Sequence, residues 1–285
     1  MMMNSFFCSS GEAGARPPIL WAASLAVFIT MGLSSAMAHT SFVMPNVFST
    51  SSAKRVTAIT SFTEDFFQPE VNVESDDFHV LLPDGHRADF AGVNVLSQLT
   101  VLETPLDADG TYRLTTGSRL GRKFQMKQVD GGWDYIRRMG GERGEPEVLP
   151  EGTVTGEFQT ETVAMAYVSK GAPTAAAFKP SGRGLEILPQ THPSEIYVDQ
   201  GFAFTLLFNG QPLADHVLTL YRQGGGYDDP AFEAEVTTGA DGTVTLPFKA
   251  AGIYGLMTRH QGASPAGAET PYRSYTVALT FEVQR

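Results

Sequence analysis

From residue 185 onward the chain breaks into short runs of apolar, β-branched and aromatic residues, each closed by Gly, Pro, Asn or Asp. The runs are Leu185-Glu186-Ile187-Leu188-Pro189, Glu195-Ile196-Tyr197-Val198, Phe202 to Phe208, Val217-Leu218-Thr219-Leu220-Tyr221, Phe232 to Thr237, Thr243 to Phe248, Ile253 to Arg259 and Tyr272 to Val283. About eight strands in about 100 residues, separated by turn signals such as Asn209-Gly210, predict a small β-sandwich. No stretch of the chain sustains a helical period, so the whole is expected to be all-β.

The earlier half carries the same signature more loosely. Strands are predicted over residues 55–62, 78–82 and 93–102, then at Thr111-Tyr112-Arg113-Leu114 after the Asp107-Ala108-Asp109-Gly110 turn. Residues 123–129 and 133–138 flank Asp130-Gly131-Gly132 as a hairpin, residues 140–152 read as a surface loop, and residues 155–169 as one more strand. Residues 170–184 shift to small residues, Pro and Gly, which places a domain boundary there. Two β-rich domains are therefore expected, residues 39–183 and residues 184–285.

Ahead of them, the apolar residues 19–33 are long enough for the core of a signal peptide and short for a membrane span. The small residues Ala36-Met37-Ala38 then form a cleavage site that makes residues 1–38 a signal peptide and His39 the mature N-terminus, although Glu12 offsets Arg16 in the leader. The expected location is periplasmic or secreted. An N-terminal His brings an α-amine with a reference pKa of about 7.7 beside an imidazole of about 6.5, a bidentate chelate near neutral pH.

The formal net charge of −11 and the lack of any Lys/Arg-rich tract argue against nucleic acid as a partner. The one cysteine, Cys8, lies in the leader, so the mature chain is expected to have no disulfide, thiolate site or lipid-bearing cysteine. No second apolar run is long enough to span a membrane. Nor is there a Gly-x-Ser-x-Gly, a phosphate-binding loop, a dinucleotide fingerprint or a His-Glu-x-x-His, and no enzyme activity is expected.

Six histidines remain as candidate metal ligands, none in a His-x-x-His or His-x-x-x-His cluster. His79 and His86 flank the Pro83-Asp84-Gly85 turn, where a hairpin brings them near each other or leaves them as a strand and a turn residue. His260 ends an apolar strand and suits a sandwich rim. His216 reads as exposed, and His192 precedes Pro193 in an extended connection. Met44, Met139 and Met257 are soft donors or core filling. The acidic pairs Glu64-Asp65 and Asp76-Asp77 lack the spacing of a calcium loop, and Gly224-Gly225-Gly226-Tyr227-Asp228-Asp229 reads as a ligand loop or a simple hairpin connection.

The turns Gly210-Gln211-Pro212-Leu213, Asp241-Gly242 and Gly252-Ile253-Tyr254 resemble those of the transthyretin-like, or carboxypeptidase-regulatory-like, sandwich. Together with Leu185-Glu186-Ile187-Leu188-Pro189, His192-Pro193 and the Ala38-His39 start, the chain is similar to domain-of-unknown-function family 4198. That family is associated with the periplasmic component of cobalt and nickel transport systems. The resemblance implies a two-part β-rich periplasmic accessory protein that binds a nickel, cobalt or copper ion, or a metal complex, and passes it to a membrane transporter. It implies His39 as a ligand and His260 as a second; His79 is a further candidate donor. Two other readings stand beside it. One is a metal-free β-sandwich interaction module of the cell envelope, contacting its partner through Phe66, Phe67, Trp133 and Tyr227. The other is a copper-binding protein that uses the N-terminal histidine with a second His.

Overall fold

Strand-forming sequence fills nearly the whole chain in the computed structural model, which describes residues 40–139, 144–224 and 233–285. In chain order the strands are β1 (Thr40–Pro45), β2 (Ser49–Thr50), β3 (Arg55–Thr63), β4 (Val71–Asn72), β5 (His79–Leu81), β6 (Arg87–Ala88), β7 (Gly92–Val95), β8 (Thr100–Pro105), β9 (Gly110–Thr115), β10 (Arg119–Val129) and β11 (Gly132–Tyr135). They continue with β12 (Arg138–Met139), β13 (Glu145–Pro146), β14 (Thr155–Lys170), β15 (Leu185–Pro189), β16 (Phe202–Phe208), β17 (Gln211–Pro212), β18 (Val217–Arg222), β19 (Glu233–Thr237), β20 (Thr243–Leu246), β21 (Gly252–Ala263) and β22 (Tyr272–Val283). The helical content among the described residues is a single 3-10 turn, Ala176–Phe178.

The local chemistry explains where strands stop. Asp130 and Gly131 both take positive φ, +50° and +83°, the left-handed pair that a tight two-residue hairpin needs, and they join β10 to β11. Residues 93–102 do not form one strand as expected. The Leu96 amide bonds the Leu99 carbonyl, folding the run into the β7–β8 hairpin. The predicted strand at 195–198 is absent too; Ile196 is buried in the core, but Tyr197 makes only an isolated bridge to Gln284.

Three of the four sheets among the described residues stack on one another; the fourth is the β12–β13 pair. The central one runs β19-β18-β21-β22-β14-β9-β5-β6, with β10 and β2 attached along β14 and β11 paired to β10. Its middle is a parallel pairing of β14 with β22, from Phe158 opposite Tyr272 to Ala166 opposite Thr280. Side chains alternate across a strand, so each face of this pair serves a different core. Ala164, Ala166 and Val168, with Ala278, face a core completed by Val43, Val56 and Leu102 of the β1-β3-β8-β7 sheet. Met165, Tyr167, Val277, Leu279 and Phe281 face the other, completed by Leu185, Ile187, Phe202, Phe204 and Leu206 of the sheet built on β15 and β16. The alanines leave room on the first face. Cα atoms of β1 come within 8 Å of β14 and β22, closer than the usual sheet spacing of about 10 Å.

Residues 40–183 and 184–285 thus each bring a core, but β14 from the first and β18, β21 and β22 from the second belong to one sheet. The described residues fall in one compact unit, Ala36–Arg285. One contact sews the halves together where a side chain is absent: the Phe66 ring lies directly on Gly255 and stacks on Tyr221 at 4.8 Å.

Because both cores lean on the same two strands, we predict that Leu102→Ala and Leu279→Ala each cost about 2–5 kcal/mol and lower one common unfolding midpoint. Denaturant melts followed by circular dichroism and by Trp133 fluorescence check this. Two resolved transitions, each sensitive to only one substitution, would show that the cores unfold separately.

Candidate functional site

Of the three histidines expected to bind metal, His39 lies outside the described residues. The next residue, Thr40, opens β1 and is already buried, opposite Thr63. His79 opens β5, and its Nδ1 donates to the Asp77 carbonyl at 2.6 Å. Burial lowers its pKa, the Asp77 bond opposes this, and the Arg87 charge adds to the lowering. His86 does not meet it. Leu82 pairs with His86 and Val80 with Ala88, which leaves the His86 ring exposed beside the Asp84 carboxylate at 3.1 Å. His192 is also fully occupied. Its Nε2 faces Thr111 Oγ1 at 3.0 Å, and its Nδ1 accepts from the Ser194 amide at 3.0 Å.

His260 is placed differently. On β21 it stands next to Tyr275 of β22, under the Phe208 ring at 4.4 Å, with the His216 ring at 5.5 Å. Burial lowers the pKa of both imidazoles; for His260 the neighbouring His216 adds to the effect, and for His216 a bond to the Arg259 carbonyl opposes it. The sequence paired neither residue with the other, because their register is set by strands some forty residues apart. Among the described residues no group of three or more His, Cys, Asp or Glu side chains is arranged to hold a metal ion.

The aromatic residues expected to be exposed are mostly turned inward. Phe67 is buried at a positive φ of +80°, and Phe66 packs on Gly255. Trp133 covers Gly156 and leans on Phe158 and Tyr272. Tyr227 lies outside the described residues, as does most of the Gly224–Asp229 loop. What the surface offers instead is the edge strand β7 and the residue after it, where Val93, Val95 and Leu96 are 44%, 48% and 54% exposed, with no charge between them.

The feature that sequence reasoning missed is a cavity of about 540 Å³ between the β5–β6 hairpin and the turn that follows β8. Leu82, Pro83, Pro105 and Tyr112 give it apolar walls, and Asp84, Asp89, Asp107 and Asp109 line it with no basic residue among the lining side chains. The Tyr112 hydroxyl donates to the Ala108 carbonyl at 2.8 Å and accepts from the Ala108 amide at 3.0 Å, which fixes the turn. Burial raises the Tyr112 pKa, and the charges of Asp107, Asp109 and Asp84 push it the same way. The carboxylates therefore act on the cavity wall. The signal was the Asp107-Ala108-Asp109-Gly110 turn, legible as a turn but not as one side of a cavity.

The arrangement defines a class, an all-β, multi-sheet protein with a concave acidic pocket between its loops. More narrowly, the chain belongs to the DUF4198 family, a domain of unknown function, which matches residues 36–262. No curated protein matches the sequence. Among solved structures it is similar to the D0-D1 domain of intimin, at 10% identity and a TM-score of 0.20, covering 86% of this chain and 99% of that one. It is also similar to the Bacillus anthracis TIE protein, at 12% identity and a TM-score of 0.12, covering 86% and 41%. Superpositions this loose carry no argument about function. No helix among the described residues is long and apolar enough to cross a membrane.

The burial of His79, His192, His216 and His260 carries a pH signature, since all four pKa values are lowered from 6.5. The unfolded chain then binds protons in a range where the folded chain does not, so stability is held above about pH 6.5 and lost as pH falls below it. We expect the melting temperature to be level from pH 8 to 7 and to drop between pH 6.5 and 5, with a shallower drop in His79→Gln. A flat or rising profile over that range contradicts the assignment.

Proposed function

We propose that this protein is an exported, non-catalytic binding module of the cell envelope, and that its acidic cavity receives a ligand carrying an ammonium or guanidinium group on an apolar body. The observation that carries this reading is the pairing of apolar walls with four carboxylates and no basic lining residue in one cavity of about 540 Å³. A pocket of this size suits a small molecule or a projecting side chain. Apolar walls favour the ligand's body and carboxylates its charged head, and a net charge of −11 draws cations toward the surface. Export rests on the signal peptide read from residues 1–38. The absence of any recognisable nucleophile-and-base motif in the sequence supports a binding role.

The narrower reading, in which the protein captures nickel, cobalt or copper for a membrane transporter, remains as a second proposal. His260 supports it, because it has another imidazole beside it. His79 does not, with its Nδ1 committed to Asp77. The transthyretin-like assignment of residues 184–285 belongs with this reading, supported by the Gly210-Gln211-Pro212-Leu213 and Asp241-Gly242 turns.

Calorimetric titration with alkylammonium ions from methyl to octyl tests the cavity. Affinity should climb with chain length by up to about 0.8 kcal/mol per buried CH₂. Asp107→Asn and Asp109→Asn should each weaken octylammonium binding by about two- to fivefold, and added salt should weaken it further. Unaltered affinity in the double variant would remove the cavity from the account.

A further inference from the structure

β7 is the outer strand of its sheet, joined to β8, and among the described residues no strand pairs with its other edge. The direction of its backbone groups follows from the hairpin. The Leu96 amide bonds the Leu99 carbonyl. Backbone groups alternate along a strand, so Asn94 and Gly92 also turn theirs toward β8, while Val93 and Val95 each hold an N–H and a C=O outward. Natural edge strands are blunted by charge, proline or a bulge. This one is short but has none of the three; it reads Gly-Val-Asn-Val, and its register with β8 is unbroken.

The acidic cavity begins where β7 does. Ala91 and Thr104 stand in its wall, and the register of Gly92 opposite Glu103 and Val93 opposite Leu102, carried one residue back, sets those two opposite each other. Side chains alternate, so Ala91, Val93 and Val95 share the face that Leu102 turns into the core. We propose that the partner of this protein is an extended polypeptide segment that adds as a strand to β7 and lowers a lysine or arginine side chain into the cavity. The inference rests on the cavity reading above and names its ligand.

The geometry dictates the segment's sequence. Antiparallel pairing is the more stable kind, and it sets apolar residues over Val95 and then Val93, with the basic residue next on the same face, over Ala91. The pattern is apolar-x-apolar-x-Lys/Arg, spanning about 13 Å. The stem of the basic side chain lies against Leu82, Pro83 and Pro105, and its charge meets Asp89, Asp107 and Asp109. Main-chain bonds to Val93 and Val95 supply affinity that a lone ammonium lacks, and the cavity supplies selectivity. A second copy of this chain fits the edge poorly, because it would set the same carboxylates, on a chain of net charge −11, against one another.

The test uses the full processed chain and two probes, octylammonium and the peptide acetyl-Thr-Val-Thr-Val-Thr-Lys-Thr-amide. In calorimetric titration the peptide should bind at least tenfold more tightly than acetyl-lysine-amide. N-methylation of its two valines, whose N–H groups face β7, should abolish that gain, whereas N-methylation of the threonine between them, whose N–H points away, should leave most of it. Val95→Pro removes an outward N–H, which an edge strand tolerates; it should weaken the peptide at least tenfold and leave octylammonium binding unchanged. Should that variant not fold, the methylated peptides on the wild-type chain decide alone. A peptide no tighter than acetyl-lysine-amide, or indifferent to valine methylation, overturns strand addition while octylammonium binding keeps the cavity. Loss of octylammonium binding to the wild-type chain removes both readings together. Self-association of the chain that Val95→Pro abolishes assigns the edge to a second copy and likewise overturns the proposal.

Discussion

The parallel contact between β14 and β22 is the seam on which the rest of the structure depends. Along it the long strand of the first half pairs with a strand of the second, and each of its faces is the floor of a core. The two faces differ in kind. Alanines on one side let β1 approach closely, whereas Met165, Tyr167, Leu279 and Phe281 on the other fill the space under the β15–β16 sheet. Near its open end, Glu161 of β14 and Arg273 of β22 form a nearly buried ion pair at 2.6 Å, and Ser118 donates to the same carboxylate at 2.8 Å. Such a pair adds little net stability against an apolar replacement, but removing one partner strands a charge, so it resists alternative registers of the seam.

The two candidate sites sit where this architecture runs out of regular pairing. The cavity lies between short connections at the β5–β6 end, where small and proline residues cannot fill the volume under the turn that Tyr112 braces. The histidine pair lies where β18 begins, just after Asp215 takes a left-handed φ of +52° and turns the chain into the sheet. Neither place depends on the other. One presents carboxylates around apolar walls and the other neutral nitrogens beside an aromatic ring, and the two chemistries attract different ligands.

Much of the fold was legible because strands and turns are written locally. The alternation in Phe202–Phe208, the Asp130-Gly131 turn and the long run Tyr272–Val283 needed only near neighbours to be read. What could not be read was which strand lies beside which. That is why residues 184–285 looked like a separate sandwich, when their last strand is the partner of β14. The same gap hid the candidate sites. His260 was singled out by its place at the end of an apolar strand, but its neighbour His216 read as exposed, because only the β18–β21 register makes them neighbours. Phe66 and Phe67 read as contact residues for a partner, and the space that Gly255 leaves for a ring has no local signature.

That β22 follows all the strands it is joined with has a consequence for how the molecule comes into being. Every contact of the seam joins residues far apart along the chain, and the central sheet cannot close before β22, which comes after its other strands, is delivered. A chain emerging in order from a ribosome, or threading N-terminus first through a narrow channel, holds only flanking pieces of a fold until that strand arrives. Maturation then comes as one late, concerted event. Until it does, the edge of β14 that β22 pairs with stands open to whatever assists or captures an unfinished β-sheet.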